Sequence, residues 1–416
     1  PTPNRVKNYV RDDEKELYLT DLKTVSRLYE EGKVLPAFEK AGPRELIYFS
    51  PPEIRAGIVT CGGLCPGLND VIRSIVMSLN YQYQVKSVLG YRFGYMGLSQ
   101  KPPEPPMQLS PGLVLDIRNL GGTILGTSRG APKVKTIVDT LEKDRINLFF
   151  AIGGDGTLRG AHEIAEECLA RQNNISIVGI PKTIDNDIDY ISKTFGFMTA
   201  VEQATETLTA IHNEVYSLSD GVGIVKLMGR DSGFIAANAC LSNNNANVCL
   251  IPEVDFDLNG EHGLLEYIRE RLIKRHHIVI VLAEGAGQKY FNDKQKKVDR
   301  SGNIKHGDIG LFLKNQIQKY SRSIRFPMTI KYIDPSYQIR SHAANAADSA
   351  FCLALGQNAV HAAMAGKTDL VVSEWNNHFI HVPISMAVSS RKKVNPDGKI
   401  WQRVCSTTGQ PSLLQR

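Results

Sequence analysis

Apolar residues fall along this chain in short runs, each followed by a longer mixed stretch. "IRAGIVT" (54–60) is apolar, β-branched and bounded by glycines, and reads as a buried strand. "GLNDVIRSIVMSLN" then reads as a helix and "YQVKSVLGY" as a second strand. After the loop "PPEPP" (102–106) come the strand "INLFFAI" (146–152), the helix "TLRGAHEIAEECLARQ" and the strand "ISIVGIP" (175–181). The second half repeats the style. Strands "GVGIVKL", "NVCLIPE" and "HIVIVLAEG" alternate with helices "GFIAANACLS" and "GLLEYIRERLIKR". A long helix rich in small residues, "ADSAFCLALGQNAVHAAMAG", precedes the strand "TDLVVSEW".

Strands alternating with helices predict parallel sheets covered on both faces. The expected fold class is therefore α/β: two doubly wound, Rossmann-like units with parallel-rich sheets. At 416 residues the chain also exceeds the ~250–300 that one core usually serves. Residues 1–50 are charged, with a helical stretch at "DLKTVSRLYEEGK". They form an expected N-terminal extension, packed on the body or on a neighbouring subunit. The expected division is 1–50, then 51–196 with 346–376, then 197–345 with 377–416. The polar run "QKYFNDKQKKVDRSGNIKHGD", with its charges at 289–305, predicts a solvated loop.

With 42% hydrophobic and 22% charged residues, the composition is that of an ordinary globular protein. A net charge of +6 with both signs interspersed does not predict a nucleic-acid surface, and suits anionic, phosphorylated substrates. Seven scattered cysteines without zinc spacing predict reduced thiols and a cytoplasmic location. No apolar run reaches ~18 residues, so no membrane span is expected. The ten histidines show neither H-E-x-x-H nor triad spacing.

Ligands of open α/β sheets bind beyond the carboxyl ends of the strands, and four polar clusters fall there. In "TCGGLCPGLN" (60–69), Gly62 and Gly63 let backbone approach an anion at a helix N-terminus. The spacing fails the dinucleotide pattern G-x-G-x-x-G. In "GGTILGTSRG" (121–130), Arg129 sits among small residues, where a guanidinium can stabilise a phosphoryl group in transit. In "AIGGDGTLRGA" (151–161), Asp155 can hold Mg²⁺ while Gly153, Gly154 and Gly156 leave room for phosphates. In "PKTIDNDI" (181–188), an extended backbone would point Asp185 and Asp187 to one side. One carboxylate could then take a proton from an alcohol while the other serves metal or orientation.

Together with "LMGRDSG" (227–233), these motifs resemble the phosphofructokinases, collinearly from about Ile54 onward. "VKLMGRDSGFIA", "AEGAGQ" and "KYIDPSYQIR" are similar to the branch holding plant and trypanosomal ATP-dependent enzymes and the pyrophosphate-dependent ones. GGDGT alone also occurs in NAD and diacylglycerol kinases, but those lack TIDND followed by MGR. The resemblance implies phosphoryl transfer to the 1-hydroxyl of fructose 6-phosphate. It implies that 51–196 with 346–376 is the donor domain and that 197–345 with 377–416 is the sugar-phosphate domain. By motif, Asp185 is implied as the base and Asp155 as the Mg²⁺-associated aspartate. Gly62, Arg129, Gly130, Gly154, Asp155, Gly156 and Thr157 line the implied ATP site. Lys182 and Thr183 join Asp185 and Arg129 in the implied catalysis. Thr183, Ile184, Asp185, Met228, Gly229, Arg230, Glu284, Tyr337 and Arg340 fall where the family holds the sugar phosphate. A homotetramer or dimer and allosteric control are implied too, but bacterial-style effector control does not carry over. An arginine that bacterial enzymes bring from a neighbouring subunit is replaced near Gly221, and Lys226 is the candidate substitute.

Two positions speak to the donor. Pyrophosphate users carry an aspartate where this chain has Gly156; a carboxylate there would fill space and repel a nucleotide's inner phosphate. Lys182 points the other way, being shared with pyrophosphate users. Plant and trypanosomal ATP enzymes combine this lysine with the glycine, as this chain does, so ATP is the expected donor. The alternatives are a pyrophosphate-dependent phosphofructokinase and a non-catalytic regulatory subunit of one.

Overall fold

The structure, a computed structural model, describes residues 2–291 and 306–411. The chain divides into two units. One gathers the residues up to Thr183, Ile188–Gly196 and Ser341–Ser390; the other gathers Ile184–Asp187, Phe197–Arg340 and the residues from Arg391.

The first unit is built on a nine-stranded sheet. Its strands run, edge to edge, Lys15–Leu17, Ala37–Lys40, His378–Pro383, Leu370–Trp375, Ser176–Pro181, Leu148–Gly153, Arg55–Thr60, Ser87–Gly90 and Met107–Leu109. The five strands from Leu370–Trp375 to Ser87–Gly90 are parallel, and antiparallel strands flank them on both sides. Leu148–Gly153 and Ser176–Pro181 are buried at every position. Helices on both faces of a parallel sheet leave no solvated side, which is why these runs are apolar throughout rather than alternating. Helix Leu68–Tyr81 packs on Ala346–Met364, with Ser74 Oγ donating to Leu353 O at 2.6 Å.

The second unit has four parallel strands in the order Val248–Leu250, His277–Ala283, Gly221–Leu227, Thr329–Ile333. Helices Leu264–Arg275 and Ile309–Ser323 bring Leu264, Ile268, Leu272, Leu313 and Ile317 against Val222, Ile224, Ile278 and Ile280.

Several expectations change. The 1–50 extension is not only helical: besides Leu22–Glu30 it contributes two strands to the main sheet, because Ala37–Lys40 pairs with His378–Pro383. Residues 377–390 group with the first unit rather than the second. The reason is that His378–Pro383 pairs along its whole length with Leu370–Trp375. "YQVKSVLGY" and "NVCLIPE" shorten to Ser87–Gly90 and Val248–Leu250. The twenty-residue helix Phe197–Tyr216 has no counterpart in the sequence reading. Of the charged 289–305 run, residues 292–305 lie outside the described residues. Among the described residues no helix is long and apolar enough to cross a membrane, and the cysteines form no disulfide.

Candidate active site

In the first unit the glycine-rich loops meet at the carboxyl ends of three adjacent parallel strands. Strand Leu148–Gly153 runs directly into helix Asp155–Ala170, with Gly154 as N-cap. The helix starts two residues earlier than the sequence pattern predicts, so Asp155 and Gly156 occupy its first turn. A Cβ on Gly153 would overlap the Thr157 side chain, so the strand can turn this sharply only with glycine. Thr157 is buried, and its N–H donates to Gly154 O at 2.9 Å. Gly156 is the opposite case: it is exposed, and a Cβ there would meet nothing within 4 Å. Backbone amides of a helix N-terminus beside open space form an anion site. Asp155 Oδ2 lies 3.2 Å from Arg159 Nε, and Arg159 Nη2 in turn donates to Val388 O at 2.6 Å.

The turn after Arg55–Thr60 lies alongside. Gly62 takes φ 83° in the left-handed region. Its N–H donates to Ser128 O at 3.3 Å, and Thr127 Oγ1 donates to Gly62 O at 2.6 Å. That fastens the Thr127–Gly130 loop, and Arg129 with it, to the glycine turn. Arg129 and Gly130 are exposed. From the third strand, Lys182 is buried, and its Nζ donates to Gly63 O at 2.7 Å. Its N–H donates to Gly153 O at 2.9 Å. The structure thus brings together Gly62, Arg129, Gly130, Gly154, Asp155, Gly156, Thr157 and Lys182. Cys61 lies in the same turn, where burial pushes its thiol up to about 12 and keeps it protonated.

The second unit forms its cluster in the same way. Leu227 pairs with Ala283, so Met228 and Glu284 leave the sheet side by side, and Val225 pairs with Ile333, which brings Asp334 level with Lys226. Glu284 N donates to Leu227 O at 2.9 Å and Gly285 N to Gly229 O at 3.1 Å. Gly229 takes φ 124°, and a Cβ there would stand 2.5 Å from Ser232 O. Burial, with the Asp334 carboxylate, holds the Glu284 carboxyl above its usual value, and Lys226, Arg230 and Arg340 oppose this only in part. Arg340 lies over the Tyr337 ring, 4.7 Å from its centroid. Met228, Gly229, Arg230 and Glu284 are therefore together, with Arg340 close enough to act on Glu284. Tyr337 is 74% exposed.

Ile184–Asp187 belongs to this unit, and Ser232 Oγ donates to Asp185 O at 3.2 Å. The extended form expected for the segment is absent. Ile184 and Asp185 lie in a turn, and Asn186 takes φ 54°. A left-handed residue between the two aspartates removes the strand alternation on which the same-side argument rested. Thr183 closes the first unit's part of the chain, its O accepting from Thr194 Oγ1 at 2.6 Å.

Lys226 does not stand open to a phosphate. Its Nζ lies 2.8 Å from Asp334 and 3.0 Å from Asp308, and these carboxylates raise its pKa against the opposing effect of burial. The sequence reading missed His306 and Arg391. His306 is lowered by burial and by Arg230 nearby, and Arg391 pairs with Asp231. Neither has a motif to announce it.

A parallel sheet whose strand ends present glycine-lined amides at a helix N-terminus, with cationic side chains on the adjoining loops, defines an α/β protein fitted to phosphorylated ligands. The chain belongs to the phosphofructokinase family, which matches residues 55–363. It is 54% identical over 383 residues to the ATP-dependent 6-phosphofructokinase of Borreliella burgdorferi, covering 91% of this chain and 86% of that one. With the chloroplastic ATP-dependent 6-phosphofructokinase 5 of Arabidopsis thaliana the identity is 47%, covering 90% and 69%. For the ATP-dependent 6-phosphofructokinase of Trypanosoma cruzi it is 47%, covering 89% and 76%. Among solved structures, the pyrophosphate-dependent phosphofructokinase of Marinobacter aquaeolei shares the fold with a TM-score of 0.70. That match has 21% identity and covers 87% of this chain and 92% of that one.

Proposed function

We propose that this chain transfers the γ-phosphoryl group of ATP to the 1-hydroxyl of fructose 6-phosphate, giving ADP and fructose 1,6-bisphosphate in glycolysis. Gly156 carries the choice of donor. Bare backbone with open space at a helix N-terminus accepts a nucleotide's inner phosphates. The Borreliella, Arabidopsis and Trypanosoma relatives, each named ATP-dependent, agree with this choice.

In this reading the donor phosphates lie on the backbone of Gly154 and Gly156 at the helix N-terminus, beside Thr157, with Gly62, Arg129 and Gly130 closing the other side. Asp155 offers a hard oxygen donor beside that backbone, which suits Mg²⁺. Together with phosphate oxygens it would hold the cation, whose chemistry when bound is to neutralise phosphate charge. Met228, Gly229, Arg230, Glu284, Tyr337 and Arg340 hold the sugar phosphate. The arginines take the 6-phosphate, and Glu284 accepts from sugar hydroxyls. Asp185, with Thr183 and Ile184 beside it, takes the proton of the 1-hydroxyl as that oxygen attacks phosphorus. Lys182 and Arg129 stabilise the charge that moves toward the leaving oxygen. Positioning and charge stabilisation supply most of the acceleration in this reaction class. We also place the enzyme in the cytoplasm as a homo-oligomer, tetramer or dimer, under effector control.

Lys182, buried at the glycine turn, favours a second reading in which pyrophosphate is the donor. The test is one assay with fructose 6-phosphate and Mg²⁺, supplying each donor separately. Turnover with ATP alone supports the proposal, and turnover with pyrophosphate alone overturns it. A regulatory subunit would turn over neither, and the presence of both Asp155 and Asp185 argues against that.

A further inference from the structure

The segment Thr183–Phe195 is held in the first unit at its two ends and again at Tyr190. At its ends, Lys182 bridges to Phe195 and Thr194 Oγ1 donates to Thr183 O. Between them, Tyr190 takes φ 55°. Asparagine, as at position 186, enters the left-handed region readily, but a tyrosine there is uncommon and persists only where its surroundings hold it. It packs on the first unit's core, and the two rings set against it come from the N-terminal extension. The Tyr18 ring meets the Tyr190 ring edge-on, with centroids 5.6 Å apart at 81°, and the Phe38 ring does so at 5.9 Å and 79°. Tyr18 and Phe38 also pack on each other at 4.9 Å. Edge-to-face geometry fixes ring orientation as well as burying area.

The extension holds these rings firmly. Phe38 is buried in the first unit's core, on a strand that continues the main sheet. Next to it Glu39 accepts from Arg44 at 2.9 Å, from Lys367 at 2.6 Å and from His381 at 3.2 Å. Opposed cations hold its carboxyl well below the usual carboxylate range despite burial. Tyr190 lies five residues beyond Asp185, on the first stretch after it that returns to the first unit. Asp189 is fixed as well, its carboxylate accepting from Tyr190 N at 2.9 Å and from Ser390 Oγ.

We infer that Tyr18 and Phe38 are positioning residues for catalysis, acting through Tyr190 to fix the downstream end of the segment that carries Asp185. This rests on the proposed role of Asp185 as base. It assigns the extension a part in the reaction that neither its sequence nor its place at the sheet edge announces.

The test is a double-mutant cycle of Tyr18→Ala with Asp185→Ser, followed as kcat and KM for ATP, with thermal melts to set a temperature at which all variants are folded. Tyr18→Ala is expected to lower kcat about tenfold, as a displaced reacting group does. KM for ATP should stay within about twofold, and Tyr18→Phe, which keeps the ring, should restore the rate. In the Asp185→Ser background Tyr18→Ala should cost nothing more, because the group it positions is gone. Tyr18→Leu serves in place of the alanine variant if that one does not fold. Unchanged kcat, or an equal loss in both backgrounds, overturns the inference while leaving the base assignment intact. Near-normal turnover of Asp185→Ser alone overturns the base assignment and this inference with it.

Discussion

Substituting Gly156→Asp separates fold from donor recognition more cleanly than any other single change. Gly156 is the second residue of helix Asp155–Ala170, is exposed, and does not have a left-handed φ. A side chain there meets nothing within 4 Å, so the fold has no steric objection. An acid in the first turn gains ~0.3–1 kcal/mol from the helix dipole. Replacing a helical glycine adds a few tenths more, and repulsion from Asp155 offsets part of this. Stability should therefore stay within ~1 kcal/mol of the parent. A carboxylate ~4–5 Å from a donor phosphate at an effective dielectric constant near 20 costs ~3–4 kcal/mol per unit charge. That corresponds to ~10²–10³ in kcat/KM for ATP. The assay is ADP release dependent on fructose 6-phosphate, alongside a thermal melt of the same preparation and a parallel run with pyrophosphate. An unchanged melt with kcat/KM for ATP within about threefold of the parent would refute the argument. The space over Gly156 would then not be where the nucleotide sits.

Three further expectations follow from the same geometry. Asp185→Ser should lower turnover ~10²–10⁴-fold, the usual share of a positioned base, while equilibrium dialysis still finds fructose 6-phosphate bound. Gly153→Ala drives a methyl into the Thr157 side chain where strand becomes helix. It should cost ~1–3 kcal/mol, read as a lowered denaturation midpoint at constant slope. The third concerns acid. His361 is buried, and its Nδ1 lies 2.8 Å from Tyr83 Oη, which in turn accepts from Asn4 Nδ2 at 3.3 Å. Burial pushes His361 down to about 4. A folded value below the unfolded one of about 6.5 means that the contribution is full above pH 6.5. It is lost as pH falls toward 4, a loss of ~3 kcal/mol in all. Denaturant midpoints at pH 7 and 4.5 should converge in His361→Gln relative to the parent; an identical pH dependence in the two proteins would rule this out.

Local pattern was enough for the elements nearest the chemistry. The central parallel strands of both units, such as Leu148–Gly153, Ser176–Pro181 and His277–Ala283, are apolar runs because they are buried on both faces, and no tertiary knowledge is needed to see them; Thr329–Ile333, only partly buried, is not such a run and was not legible. The post-strand clusters at Gly62, Gly154, Lys182 and Met228 were legible for the same reason: ligand groups gather where strands end. The motifs also sufficed to place the chain among the phosphofructokinases. Tertiary structure decided what depends on partners distant in sequence. The strand Ala37–Lys40 exists because His378–Pro383 offers it backbone to pair with, 340 residues away, and its four residues carry too weak an alternation to declare themselves. Lys226 reads as a spare cation until Asp308 and Asp334 are seen against it. The turn at Asp185 and the left-handed backbone of Tyr190 stand against partners distant in sequence: Ser232 on Asp185, Tyr18 and Phe38 on Tyr190. Side-chain periodicity reports which face is apolar, and it is silent about which distant side chain meets the backbone at an acid.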